Sequence, residues 1–156
     1  EFYTMIEELP LIPIETKETH SPEETESLGA YVGETYPDTQ VIALLGELGA
    51  GKTAFVRGLA RQRQTVDQVS SPTYAIVNEY RGKRPICHFD MYRITDSDSL
   101  YDIGWEDYLS SGGLCVVEWS ENILDALPEG TLFVRIEKTG EQSRRITLLK
   151  KEGEGC

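Results

Sequence analysis

The stretch Gly46-Glu47-Leu48-Gly49-Ala50-Gly51-Lys52-Thr53 decides the fold of this 156-residue chain, because it matches the phosphate-loop pattern G-x-x-x-x-G-K-[ST] at every position. The short apolar run Gln40–Leu45 precedes it, which is typical of a buried parallel strand. The amphipathic stretch Thr53–Arg63 follows it and predicts a helix. A strand, this loop and a helix in succession are the setting in which the pattern binds nucleotide phosphates.

The residue types of the loop explain that chemistry. Its glycines let backbone N–H groups turn toward an anion, and the following helix directs its positive N-terminus at the same place. Lys52 supplies a positive charge for the β- and γ-phosphates, and the Thr53 hydroxyl can bind Mg²⁺. The predicted nucleotide-binding residues are the loop and the residue after it: Gly46, Glu47, Leu48, Gly49, Ala50, Gly51, Lys52, Thr53 and Ala54.

Two acidic residues are candidates to complete the site. Asp90 ends the apolar run Ile86–Asp90, and Glu118 ends the apolar run Leu114–Glu118. Because the carboxyl ends of parallel strands lie beside the phosphate loop, we expect both acids to be near it. A phosphate loop needs a carboxylate for the metal and a group that positions the attacking water. The pattern leaves open which acid does which.

Three further residues have two interpretations each. Thr73, in Ser71-Pro72-Thr73, follows the first helix after the loop and either senses the γ-phosphate or belongs to a plain turn. Trp119 either stacks on a base or packs in the core. His88 is expected to be a core histidine or one that supports the site from behind, since no second histidine lies near it in sequence.

Local patterns predict the remaining elements. Ser21-Pro22-Glu23-Glu24 is typical of a helix start, with Ser21 as N-cap and Glu24 completing a capping box, and the helix runs to about Tyr36. The other predicted elements are strands at Leu9–Glu15, Tyr74–Tyr80, Ile86–Tyr92, Leu114–Trp119, Leu132–Lys138 and Arg145–Lys151, and helices at Asp96–Ser110, with a break near Gly104, and Glu121–Leu127.

This alternation predicts an α/β fold like that of P-loop NTPases. The sheet is expected to be mostly parallel, with helices on both faces and an antiparallel C-terminal hairpin. One domain should span residues 1–156, with residues 1–14 as an extended arm or edge strand and residues 152–156 as a frayed tail.

Composition narrows the classes of function. The net charge is −12, and residues 1–38 hold ten acidic residues against one basic residue, which disfavours direct binding to a nucleic-acid backbone. No apolar run is long enough to span a bilayer, and no secretory signal is visible. Cys87, Cys115 and Cys156 show no metal-binding or disulfide spacing. These features favour a reduced protein of the cytoplasm without a membrane partner.

The sequence constrains the identity of the nucleotide base and the type of reaction less strongly. The chain has neither Asn-Lys-x-Asp nor Asp-x-x-Gly, which favours ATP over GTP. A small-molecule kinase is an alternative, although the only compact basic loop, Arg81-Gly82-Lys83-Arg84, is short for a lid. A binding module that ATP merely orders, with incidental hydrolysis, is another alternative.

Five motifs together resemble those of one known family, the bacterial TsaE (YjeE) proteins. They occur in the order Gly46–Thr53, Ser71-Pro72-Thr73-Tyr74, Asn78-Glu79-Tyr80, His88-Phe89-Asp90-Met91-Tyr92-Arg93 and Val117-Glu118-Trp119-Ser120, and the match runs from about residue 21 to residue 150. The chain departs from the family at Glu47, where Asp is usual, and at Ala54, where a second Thr is common.

The resemblance implies a small α/β ATPase that binds ATP and Mg²⁺ and is weakly active alone. It implies work with the proteins TsaB and TsaD, which transfer a threonylcarbamoyl group to the adenosine beside the anticodon of tRNA. The chain would be monomeric alone and would reach tRNA only through that complex.

The resemblance also assigns roles to individual residues. Lys52 and Thr53 would contact the phosphates and Mg²⁺, and Asp90 and Glu118 would be the acids required for activity, with Glu118 favoured as the metal ligand. Thr73 would belong to a switch-like loop, and Trp119 would lie near the nucleotide.

Overall fold

The computed structural model describes residues 11–46, 51–69, 77–90, 97–118 and 125–152, and the structural findings below concern those residues. They form the strands β1 (Leu11–Thr19), β2 (Val41–Leu45), β3 (Val77–Tyr80), β4 (Ile86–Asp90), β5 (Leu114–Glu118), β6 (Leu132–Lys138) and β7 (Arg144–Lys151). Their helices are α1 (Pro22–Thr35), α2 (Lys52–Arg63), α3 (Ser97–Asp102) and α4 (Trp105–Ser110).

All seven strands join one sheet in the order β1-β7-β6-β2-β5-β4-β3. The four central strands, β6, β2, β5 and β4, run parallel to one another. The pairs at the two edges are antiparallel, β1 with β7 and β7 with β6 on one side and β3 with β4 on the other. The predicted fold class is therefore confirmed, with the parallel strands at the centre and antiparallel pairs outside them.

Strand β2 is apolar throughout because both of its faces are covered. Ile42 and Leu44 pack in one apolar cluster with residues of α1 and α2. Val41, Ala43 and Leu45 face the other side and pack in a second cluster with residues of α3 and α4. A central parallel strand between two helical layers cannot alternate apolar with polar side chains, which is why Gln40–Leu45 reads as a continuous run.

The helix boundaries follow their local signals. The Ser21 hydroxyl accepts the Glu24 N–H at 3.1 Å, so Ser21 is the N-cap as predicted. The Glu24 carboxylate accepts the His20 N–H at 2.9 Å, one residue before the N-cap, so the predicted capping box forms only in part. The predicted helix over 96–110 is divided into α3 and α4, with Gly104 between them. None of the helices in the described parts of the chain is long and apolar enough to cross a membrane.

Some predicted elements extend outside the described residues. These are the first two residues of the predicted strand at 9–15, residues 74–76 and 91–92 of the next two strands, residue 119, and 121–124 of the short helix. Within the described residues, β1 continues to Thr19, where the Thr19 and Thr25 hydroxyls share a hydrogen bond of 2.8 Å. The apolar pattern covers only the first half of β1, whereas its second half is polar and still pairs with β7. The sequence therefore underestimates the length of this strand.

Helices α1 and α2 approach so closely that two glycines are required between them. A Cβ at Gly29 would meet the Phe55 carbonyl oxygen, and a Cβ at Gly58 would meet the Glu26 carbonyl oxygen. Backbone atoms fill the space that side chains normally occupy, so the two helices have little freedom to shift against each other. Because α2 begins at Lys52, this contact also fixes the end of the phosphate loop.

We expect Gly58→Ala to lower the free energy of unfolding by about 1–3 kcal/mol, because the added methyl group meets backbone and forces the helices apart. Gly33→Ala is the matched control in α1, since its Cβ would meet only the end of the flexible Gln62 side chain, with Gln62 Oε1 at 2.7 Å. The control should be neutral or stabilising through better helix propensity. Urea unfolding of both variants checks this, and equal destabilisation would contradict the close-contact interpretation.

Candidate active site

The centre of the candidate site is the start of α2, the helix that follows β2 in the chain. Gly51 occupies the N-cap position of α2 with φ +104° and ψ +15°, and no side chain caps the helix there. Lys52, Thr53 and Ala54 are the first three residues of the helix, and the Lys52 side chain is only 6% exposed. A helix N-terminus and a sheltered ammonium group both favour an anion at this position.

The two predicted acids lie side by side at the carboxyl ends of neighbouring strands. In the β4–β5 pair Asp90 is aligned with Glu118, and in the β2–β5 pair Leu44 is aligned with Glu118. Strand β5 therefore lies between the strand that leads into the loop and the strand that ends in Asp90. The position of the Asp90 side chain lies outside the description, as do Glu47, Leu48, Gly49, Ala50, Thr73 and Trp119.

Glu118 forms an ion pair with the phosphate-loop lysine. The distance between Lys52 Nζ and Glu118 Oε1 is 3.7 Å, and the two side chains are 6% and 12% exposed. The chain thus brings together two of the three predicted catalytic residues, which are 66 positions apart in sequence. A sheltered pair of this kind is screened little by solvent.

The second oxygen of Glu118 bonds to a buried histidine. His88 Nε2 lies 2.6 Å from Glu118 Oε2, and Tyr80 Oη lies 3.1 Å from His88 Nδ1. Burial acts to raise the pKa of Glu118, but its interactions with His88 and Lys52 outweigh that effect and hold the pKa below its usual value. The carboxylate is therefore kept ionised beside the phosphate loop.

Sequence reasoning missed two residues at this site. Tyr80 donates to His88 or accepts from it; it lies in the motif Asn78-Glu79-Tyr80, but that motif gave it no role at the site. The Arg144 side chain lies against Gly51, with its Nε 3.5 Å from where a Cβ of Gly51 would be. Its Nη1 donates to the carbonyl oxygens of Gly140 and Ser143, at 3.2 and 2.8 Å, which places a cation next to the loop.

The residues present fit a magnesium ion carried by a nucleotide. A phosphate-loop metal needs few protein ligands, because phosphates and water supply the rest. The Thr53 hydroxyl and the Glu118 carboxylate are oxygen ligands of the kind that Mg²⁺ prefers. Among the described residues there is no cluster of three or more His, Cys, Asp or Glu side chains that would form a metal site without a nucleotide.

A parallel central sheet, with the loop strand beside an acid-bearing strand, defines the fold of the P-loop NTPase class. The family model described as "Threonylcarbamoyl adenosine biosynthesis protein TsaE" matches residues 19–146. The chain therefore belongs to the TsaE family, which functions in the biosynthesis of threonylcarbamoyladenosine in tRNA.

Individual relatives agree with this assignment. The tRNA threonylcarbamoyladenosine biosynthesis protein TsaE of Treponema pallidum is 33% identical over 130 residues, which cover 83% of this chain and 96% of the relative. The protein of that name from Bacillus subtilis is 37% identical over 131 residues, covering 83% and 82%. The crystal structure of Bacillus subtilis YdiB matches 90% of this chain and 87% of its own with a TM-score of 0.71 and 30% identity.

We expect Gly51→Ala to weaken nucleotide binding, because the left-handed backbone at this N-cap disfavours a Cβ and costs about 1–3 kcal/mol. Gly130→Ala is the matched control, since Gly130 has φ +81° and open space around its Cβ position in a turn. Both variants should lose stability in thermal unfolding, but only Gly51→Ala should lose affinity for a fluorescent adenine nucleotide. Equal affinity in the two variants would contradict this role for Gly51.

Proposed function

We propose that the protein binds Mg-ATP and hydrolyses it to support threonylcarbamoyl transfer to the adenosine next to the anticodon of tRNA. The observation that carries this proposal is the sheltered pair of Lys52 and Glu118, in which the first residue of α2 meets the carboxyl end of β5. A lysine there serves phosphate binding, and an ionised acid there serves metal binding or hydrolysis. Membership of the TsaE family supplies the biological process.

The loop residues bind and orient the triphosphate in this proposal. Backbone N–H groups from Gly46 to Ala54 and the N-terminus of α2 surround the phosphates, and Lys52 contacts the β- and γ-phosphates. The Thr53 hydroxyl holds the metal. When bound, Mg²⁺ neutralises the charge that develops on the phosphate oxygens. When the nucleotide is bound, phosphate oxygens become partners of the Lys52 ammonium group.

The acids assist the hydrolysis itself. Water attacks the γ-phosphorus, the bond to the β–γ bridging oxygen breaks, and ADP and inorganic phosphate leave. Glu118 contributes to the metal site, and Asp90, aligned with it in the neighbouring strand, orients the attacking water. The alternative assignment exchanges these two roles, with Asp90 at the metal and Glu118 at the attacking water. Thr73 and Trp119 stay predictions, as a residue near the γ-phosphate and one near the nucleotide.

The charge of the protein supports an indirect relation to tRNA. With a net charge of −12, the chain repels a phosphate backbone at long range, so we assign tRNA contact to TsaB and TsaD. Cys87 and Cys115 are free and buried, and burial raises the pKa of Cys115 to about 12. Reduced, protonated thiols suit the cytoplasm, where we propose that the protein acts.

We expect the purified protein to release ADP and phosphate slowly, and faster when TsaB and TsaD are added, without any added metabolite. Glu118→Gln and Asp90→Asn should each lower kcat by about 10²–10³-fold, because each removes a charge that stabilises the transition state. Lys52→Ala should abolish both binding and turnover. Steady-state phosphate release, with and without the two partner proteins, measures all three variants.

Glu106→Gln is the matched control for that assay, since Glu106 is exposed on α4 and has no role in the proposed site, and its kcat should equal that of the wild type. Wild-type rates in both Glu118→Gln and Asp90→Asn would refute the roles of these acids. A phosphorylated metabolite among the products would indicate the kinase alternative. Partner assembly and tRNA modification at full rate without hydrolysis would indicate a binding module.

A further inference from the structure

His88 and Tyr80 form a line of buried groups behind Glu118 that the proposed mechanism does not use. Three neighbouring strands supply them, with Tyr80 on β3, His88 on β4 and Glu118 on β5. His88 is 0% exposed and Tyr80 is 3% exposed, so solvent does not compete for these contacts. Both nitrogens of His88 have partners, at 2.6 Å to Glu118 and 3.1 Å to Tyr80.

We infer that His88 is a positioning residue that orients the Glu118 carboxylate toward the phosphate loop, and that Tyr80 fixes the imidazole that does so. The inference rests on the proposed function of Glu118 in the metal site. It assigns each carboxylate oxygen a separate task. Oε2 is occupied by His88, and Oε1 faces Lys52 Nζ at 3.7 Å, at the N-terminus of α2.

The hydrogen positions follow from the chemistry of the three groups. An ionised carboxylate can only accept, so His88 Nε2 carries a hydrogen and donates it to Oε2 of Glu118. The other ring nitrogen, Nδ1, then accepts the Tyr80 hydroxyl hydrogen. Glu118 therefore selects the form of the ring that donates toward it, because the alternative form would set a lone pair against the carboxylate. The hydrogen bond from Tyr80 to Nδ1 is compatible with that form and holds the ring in place.

Both ring nitrogens of a buried histidine need a hydrogen-bond partner. His88 finds them in the hydroxyl of one edge strand and in the acid at the centre of the candidate site, so its ring connects the two. Groups that hold a metal-binding carboxylate in place act on metal affinity through its orientation, and their loss typically costs 10–100-fold. The expected phenotype is therefore weaker binding of Mg²⁺, seen as a higher Mg²⁺ concentration at half-saturation.

The test compares two amide replacements of similar size. In His88→Gln the amide nitrogen reaches the place of Nε2 and can still donate to Glu118, whereas in His88→Asn it reaches only the place of Nδ1. Calorimetry of ADP binding at increasing Mg²⁺ should show the half-saturating Mg²⁺ concentration raised about 10–100-fold in His88→Asn and near the wild-type value in His88→Gln. Binding of ADP without Mg²⁺ should be the same in all three proteins.

A second readout needs neither nucleotide nor turnover. The chain has two histidines, so ¹⁵N-histidine NMR gives two imidazole systems, and His20→Gln, which replaces the exposed histidine, assigns them. We expect His88 in the wild type to carry its hydrogen on Nε2 and none on Nδ1. Tyr80→Phe should keep the hydrogen on Nε2, where Glu118 requires it, but should raise the Mg²⁺ requirement because the ring loses its second hydrogen bond. His20→Gln should change neither.

The outcomes separate this inference from the function it rests on. Equal Mg²⁺ requirements in His88→Asn, His88→Gln and wild type, with Glu118→Gln impaired, would overturn the positioning role and leave the proposed function standing. A hydrogen on Nδ1 and none on Nε2 in the wild type would overturn the donation from His88 to Glu118, and a wild-type Mg²⁺ requirement in Tyr80→Phe would overturn the role of Tyr80. If Glu118→Gln itself leaves Mg²⁺ dependence unchanged, the proposed metal role of Glu118 fails, and the NMR result alone then decides the orientation of the histidine.

Discussion

The structure depends on how one sheltered ammonium group is compensated. Lys52 is withdrawn from water at the first turn of α2, where the helix N-terminus adds further positive potential rather than relieving it. Removing a cation from water is costly unless an anion is close, and Glu118 supplies that anion at 3.7 Å. Lysine and helix N-terminus both contribute positive potential at this position, which suits the binding of an anion.

The sheet order makes this compensation possible. Because β2 lies directly between β6 and β5, the residue that ends β5 is beside the loop that leaves β2. A strand inserted between them would move Glu118 away by about 5 Å, the spacing between neighbouring strands. Gly29 and Gly58 let α1 and α2 pack backbone against backbone. The helix that carries Lys52 therefore has little freedom to shift against α1.

Much of this architecture could be predicted from local sequence, and the reason is physical. The buried strand β2, the start of α2 at Lys52 and the N-cap at Ser21 each depend on residues close in the chain, so local spacing predicts them. The contact of His88 with Glu118 depends instead on the register of two strands that are 30 positions apart. Arg144 reaches Gly51 from a hairpin near the end of the chain, and no pattern of residue types specifies such a meeting.

The interhelical contact also has a mechanical consequence. Where two helices touch through side chains, small rotamer changes can absorb a shift, but carbonyl oxygens lodged against glycine have no such compliance. The bond between Thr19 and Thr25 ties the end of β1 to the same helix pair. The outer strand, α1 and the helix that carries Lys52 are therefore joined by a hydrogen bond and by backbone contacts that leave little room for one to shift against the next.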